Sequence, residues 1–156
     1  MDIKILQQAI IDIAKAASAR VMDIYNHPQA PTTLKSDGTP VTEADLASHQ
    51  LITERLKALT PDIPIISEEE EEIVTPWKHQ KLFWLVDPLD GTKEFIHRNG
   101  EFTVNIALIA DSKPVLGVVS APALNRLYAG TEHEAIKLSP EGNYETISTS
   151  IPNYTD

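Results

Sequence analysis

The sequence predicts an α+β domain in which two long N-terminal helices pack on a mostly antiparallel sheet. Three observations carry that reading. Apolar residues first recur every third or fourth position, the period then changes to alternation, and the helical segments precede the strands instead of separating them. Two helices followed by many strands do not form repeating βαβ units, and no internal repeat is visible.

The elements follow in order. Ile3, Leu6, Ile10, Ile13, Ala17, Val21 and Ile24 form one helical face over residues 3–25, which Asn26, His27 and Pro28 end. Residues 28–40 hold Pro28, Pro31, Gly38 and Pro40 and read as loop. Thr42 then N-caps a second helix whose buried face is Ala44, Ala47, Leu51, Leu56 and Leu59, ending at Thr60-Pro61. Ile63–Ile66 is a short strand. Leu82–Val86 is an uninterrupted apolar strand, the pattern of a strand covered on both faces. Phe102, Val104, Ile106 and Leu108 alternate along the next strand, the turn Asp111–Pro114 leads into Val115–Ser120, and Arg126–Ala129 and Ala135–Leu138 complete a meander of hairpins. From Ser139 to Asp156 the patterning is weak. Trp77 and Trp84 read as packing residues.

Composition narrows the function. The 156 residues carry a net charge of −10, which argues against neutralisation of nucleic-acid phosphates and suits a protein that holds cations. Zero cysteines exclude a disulfide scaffold, a thiolate zinc site and a thiol nucleophile. No apolar run approaches the ~18 residues of a membrane span. The N-terminus reads as an amphipathic helix and not as a signal core. The expectation is a soluble, cytoplasmic protein.

The strongest site candidate is Asp87-Pro88-Leu89-Asp90-Gly91-Thr92. Two carboxylates three residues apart follow an apolar strand, and Pro88 restricts the chain so that both can aim at one point. Hard cations such as Mg²⁺ take such oxygens, and the Leu89 carbonyl between them adds a further ligand. Gly91 permits close backbone approach. Gly91 and Thr92 would offer amides to a phosphate where a short helix, Lys93–His97, begins. The competing reading is a β-turn with Asp90 as an ordinary N-cap. Glu68 also follows an apolar strand, on the same sheet rim, where it can bind metal and position or deprotonate an attacking water; the alternative is a solvated acidic loop. Glu69 reads as a supporting residue, and Glu70, Glu71 and Glu72 as solvated. Thr42 and Asp45 have capping-box spacing, so Asp45 reads either as a cap or as a catalytic residue. The five histidines (27, 49, 79, 97 and 133) show no ligand spacing and read as surface or satisfied core. An aspartyl-phosphate mechanism is disfavoured, because its two Asp are separated by one residue and these by two.

Leu85 to Thr92, together with Pro40-Val41-Thr42-Glu43-Ala44-Asp45 and Ser67-Glu68-Glu69, resembles the three marks of the inositol monophosphatase superfamily of lithium-sensitive, Mg²⁺-dependent phosphatases. Gly91–Ile96 followed by Arg98–Asn105 is similar to its 3′(2′),5′-bisphosphate nucleotidases. The resemblance runs from about residue 5 to about 138. It implies that Glu68, Asp87, the Leu89 carbonyl and Asp90 bind Mg²⁺. The substrate phosphate would meet Glu68, Leu89, Asp90 and the amides of Gly91 and Thr92. Thr92, paired with Asp45, would orient and activate the water, with Glu68 also catalytic. The implied reaction is hydrolysis of adenosine 3′,5′-bisphosphate to AMP and phosphate, clearing a by-product of sulfate assimilation. Li⁺ would inhibit by replacing a Mg²⁺, and the enzyme would sit in the cytoplasm or peripherally on the inner face of the membrane. An inositol-phosphate or other sugar-phosphate phosphatase is the first alternative, against which Lys93-Glu94-Phe95 speaks.

The resemblance also implies that residues 1–156 form the first half of the layered αβαβα sugar-phosphatase fold, without the C-terminal α/β half and its Trp-Asp motif. A non-catalytic Mg²⁺- and phosphate-binding fragment is therefore a second alternative. Two helices can cover one sheet face only, so the other is expected to expose apolar surface and to favour self-association.

Overall fold

The computed structural model describes residues 2–28, 31–70, 80–139 and 141–149. Glu71, Glu72, Trp77 and His79 lie outside them. Helix α1 spans Ile3–Asn26, opened by the Asp2 carboxylate accepting the Lys4 amide at 2.9 Å. Its buried face holds the expected Leu6, Ile10, Ile13, Ala17, Val21 and Ile24, widened by Ile11, Ala14 and Ser18, while Ile3 stays 38% exposed. Residues 28–40 are not all loop. Strands β1 (Thr33–Leu34) and β2 (Pro40–Val41) pair in a small antiparallel hairpin, too short to leave a period in the sequence. Helix α2 spans Glu43–Leu59, with Thr42 as N-cap and Thr60 as C-cap.

A seven-stranded sheet follows in sequential order: β3 (Ile65–Ser67), β4 (Leu82–Asp90), β5 (Thr103–Ala110), β6 (Lys113–Ala121), β7 (Arg126–Thr131), β8 (Ala135–Leu138) and β9 (Tyr144–Ile147). β3 runs parallel to β4, and every later pair is antiparallel. Helix α3, Thr92–His97, lies between β4 and β5. Strand β9 falls in the weakly patterned tail. All four of its residues are exposed, so no alternation marks it, and its register with β8 is what holds it.

α1 and α2 pack on one face of the sheet. The residues they bury are Val86, Val104, Ile106, Leu108, Leu116, Val118, Leu127 and Ala129, the inward half of each strand's alternation. Trp84 is fully buried, and its indole N–H donates to the Thr60 Oγ1 at 2.8 Å, joining β4 to the end of α2. The apolar run of β4 suggested cover on both faces, but on the face opposite Trp84 and Val86 the side chain of Leu85 is 46% exposed. On that outer face the register aligns Leu85, Ala107, Gly117, Gly130, Ala135 and Ile147 in one row across six strands. The small residues in mid-row leave a groove of about 860 Å³.

Trp84→Ala should destabilise the fold by about 3–5 kcal/mol, through lost burial and the lost indole bond to Thr60 Oγ1. Urea denaturation followed by circular dichroism measures it, and a loss below about 1 kcal/mol would contradict this packing.

Candidate active site

β4 does not end before the aspartates, as the sequence suggested, but carries them inside an irregularity. Asp87 pairs with Asn105 and Asp90 with Thr103, so three steps on β4 match two on β5. That is a one-residue bulge. In a regular strand, residues three apart point to opposite faces; the extra residue restores the parity and puts both aspartates on the side of Asn105 and Thr103. Glu68 reaches the same rim because β3 is parallel to β4. Ser67 pairs with Val86, and the Glu68 amide donates to the Val86 carbonyl at 3.1 Å.

The first two turns of α2 fasten these segments together. The Thr42 amide donates to Asp45 Oδ2 at 2.8 Å and the Asp45 amide to Thr42 Oγ1 at 3.4 Å, which makes a capping box, and the Thr42 hydroxyl donates to the same Oδ2. Asp45 Oδ1 accepts the Thr92 hydroxyl at 2.8 Å, and Asp45 is fully buried. The cap and the pairing with Thr92 are both real, one on each oxygen. One turn on, the Ser48 hydroxyl donates to the Pro88 carbonyl at 2.7 Å, satisfying a backbone group of the bulge. His49 Nδ1 lies 2.8 Å from the Ser67 hydroxyl, one residue before Glu68. Ser48 was not singled out from the sequence, although it shares the helical face of Asp45 at a spacing of three.

Gly91 begins α3 at a φ of 89°, and a Cβ there would sit 2.9 Å from the Glu101 carbonyl oxygen. Only glycine fits, on conformation and on space. The first-turn amides of α3 have no partner within the helix. Glu69 has the supporting role its position suggested: Lys35 Nζ binds its Oε1 at 2.8 Å, tying the β1–β2 hairpin to the acidic rim. Burial pulls the Lys35 ammonium down, but the hydrogen bond and charge of Glu69, with Glu68 and Asp45 beyond, outweigh it and hold the group above its ordinary value. Glu70 is exposed, as are His27, His97 and His133.

The electrostatics centre on Asp87. Burial, then a hydrogen bond with the Glu68 carboxyl, then the charges of Glu68 and Asp90 push its carboxyl up to about 8, against a smaller opposing pull from the Leu89 amide. Asp87 Oδ1 is buried with no hydrogen-bond partner. A buried carboxylate oxygen with no donor is expensive to hold charged, and a hard cation is the partner its chemistry fits. The fit is partial. Among the described residues no three carboxylate or imidazole groups come together to cage a cation. Glu68 and Asp87 form a hydrogen-bonded pair, and Asp90, exposed like Glu68, acts on Asp87 as a neighbouring charge. Mg²⁺ commonly uses one or two carboxylates, with water and phosphate oxygens completing its octahedron.

A rim of paired carboxylates, a carboxylate-bound threonine and a glycine-started helix turn thus meet at one edge of an α+β layer. The inositol monophosphatase family model matches residues 2–150, and the chain belongs to that family. It is 50% identical over 131 residues to the 3′(2′),5′-bisphosphate nucleotidase CysQ of Salmonella typhimurium, covering 83% of this chain and 53% of that protein. It is 42% identical over 145 residues to CysQ of Buchnera aphidicola, covering 90% and 54%. Among solved structures, CysQ from Bacteroides thetaiotaomicron superposes with a TM-score of 0.72 at 40% identity, over 85% of this chain and 48% of that one. The chain spans about half the length of the curated relatives it matches. Among the described residues no helix is long and apolar enough to cross a membrane.

Asp87 makes metal-free stability depend on pH with a definite sign. The unfolded carboxyl releases its proton near pH ~3.9, whereas the folded one keeps it to about 8. Stability present below the unfolded value is thus lost as pH rises through that window. Melts in chelator should show a falling midpoint from about pH 5 to about pH 8.5, with a shallower fall in Asp87→Asn. Identical slopes in the two proteins would remove Asp87 as the cause. Ser48→Ala should cost about 1–3 kcal/mol by orphaning the buried Pro88 carbonyl, read by urea denaturation.

Proposed function

We propose that this chain carries the carboxylate and water-activating half of a Mg²⁺-dependent 3′(2′),5′-bisphosphate nucleotidase, hydrolysing the 3′-phosphate of adenosine 3′,5′-bisphosphate to AMP and phosphate. The observation that carries it is the bond from the Thr92 hydroxyl to Asp45, set beside the Glu68–Asp87 pair with its unpartnered buried oxygen. The substrate assignment rests on the likeness to proteins named CysQ nucleotidases.

Glu68 and Asp87 would hold Mg²⁺, with Asp90 and the Leu89 carbonyl beside them. Bound there, the ion would neutralise phosphate charge and lower the pKa of a coordinated water. The remaining work falls to the chain itself. Asp45 can only accept, so the Thr92 hydroxyl must spend its hydrogen on Asp45 and turn its lone pairs outward. A water that donates to Thr92 Oγ1 would be oriented by that acceptor, and Glu68 would take its proton. The amides of Gly91 and Thr92, at the start of α3, would receive the phosphate oxygens.

One observation favours a second reading, in which the chain holds Mg²⁺ and phosphate weakly with little turnover: among the described residues no three His, Asp or Glu side chains close on a cation. Two measurements separate the readings. Mg²⁺ should raise the melting temperature of the wild type, and the rise should vanish in Asp87→Asn/Asp90→Asn. Phosphate release from adenosine 3′,5′-bisphosphate should require Mg²⁺, and Thr92→Ala should lower kcat by about 10²–10⁴-fold with a smaller change in KM. A Mg²⁺-dependent melt without phosphate release selects the second reading. Equal melting shifts in wild type and variant would refute both.

A further inference from the structure

Away from the carboxylate rim, the second half of α1 and the far end of β6 enclose another cavity, of about 240 Å³. Lys15 and Ser18 line it from α1, Ser120 from β6, Asn125 from the turn before β7 and Arg126 from the first position of β7. In a chain of net charge −10 its composition is unusual: two cationic side chains and, among the described residues, no carboxylate. Neither cation is spent elsewhere. The ion pairs among the described residues join Arg20 and His27 to Asp23 and Lys35 to Glu69, and involve neither Lys15 nor Arg126. Asp12, one turn before Lys15, accepts from Gln8. The Lys15 ammonium lies 5.7 Å from the centre of the Tyr144 ring, which steadies the side chain without neutralising it.

The floor adds an independent point. The hydroxyls of Ser18 and Ser120, both buried, lie 2.7 Å apart. Two hydroxyls bring two hydrogens, and their mutual bond uses one. The other finds no acceptor among the described residues, so the floor offers a donor under a rim of two positive charges. The Ser139 hydroxyl is not available in this way, because it accepts the Asn143 amide and holds the Glu141 carboxylate.

We propose that this cavity is a second anion site, which takes an oxyanion head group of the phosphate or sulfate class between Lys15, Arg126 and the Ser18–Ser120 floor. Both anions are tetrahedral and acceptor-rich, matching cationic donors above and a hydroxyl below. Met22 and Leu127 supply apolar wall for a short body attached to the head group. The site is separate from Gly91 and Thr92, so its occupancy does not depend on the proposed hydrolysis.

The probes are inorganic phosphate and inorganic sulfate, titrated into the metal-free 156-residue chain and followed by amide-resolved NMR. The amides of Ser18, Ser120 and Asn125 should shift and saturate, and chloride at equal ionic strength should not reproduce the shifts. Saturation by either anion supports the site, and the anion that saturates names the head group. Lys15→Gln/Arg126→Gln, at exposed positions, should raise the apparent Kd at least about tenfold, whereas Asp87→Asn should leave it unchanged. Non-saturating shifts, an equal response to chloride, an unchanged Kd in the double variant, or shifts confined to Gly91 and Thr92 would each overturn the assignment.

Discussion

The arrangement of the site depends on one buried carboxylate. Asp45 divides its oxygens between two tasks, ending the backbone of α2 through Thr42 and orienting Thr92 at the far end of the bulge. With the carboxylate fully buried, each bond is made in a poorly screened setting, and losing the Thr92 bond would leave Oδ1 without a donor. α2 therefore cannot shift along the sheet without breaking the bond from Thr92 to Asp45. The two contacts one turn later, Ser48 to Pro88 and His49 to Ser67, carry the same constraint to the bulge and to the strand that presents Glu68.

The bulge turns this scaffold into a site. Without its extra residue, Asp87 and Asp90 would point to opposite faces of β4, one of them into the apolar layer under α1 and α2. With it, both stand on the rim that Glu68 reaches from the neighbouring strand. The concentration of negative charge is unfavourable by itself, and Asp87 shows it by retaining its proton to about 8. Lys35, drawn in by Glu69, offsets part of that charge. The unpartnered Asp87 oxygen is the part left unsatisfied. Strain of this kind is expected where a site is shaped for a partner and not for the fold alone.

The sheet is asymmetric in cover. α1 and α2 bury one face over β4 to β7, while the row from Leu85 to Ile147 on the other is lined in its middle by Ala107, Gly117, Gly130 and Ala135. Small residues in register make a sheet surface that another layer can approach closely, and Leu85 and Val119 add exposed apolar area beside them. The groove runs up to Glu68 and Asp87, so whatever covers this face also borders the carboxylate rim.

The periodicities of α1, α2 and β5 were legible because each element buries one face, and burial of one face is what writes a period into a sequence. The cap at Thr42, the glycine at Gly91 and the proximity of Glu68 to Asp87 were legible for similar local reasons: spacing, φ and strand ends. Strand β9 was not, since Tyr144–Ile147 is exposed on every residue and is held by backbone pairing that any sequence can make. The bulge was also hidden, because Pro88 looks the same whether it ends a strand or interrupts one, and only the register against Asn105 and Thr103 tells the two apart. Likewise, no spacing rule predicts that Ser48 meets Pro88 or that Lys35 meets Glu69; those contacts span 40 and 34 residues and exist only once α2 and the β1–β2 hairpin have docked. Local chemistry named the groups at the site. Tertiary packing decided which oxygens face each other, because distances between distant segments are set by the layers they pack into and not by the chain that joins them.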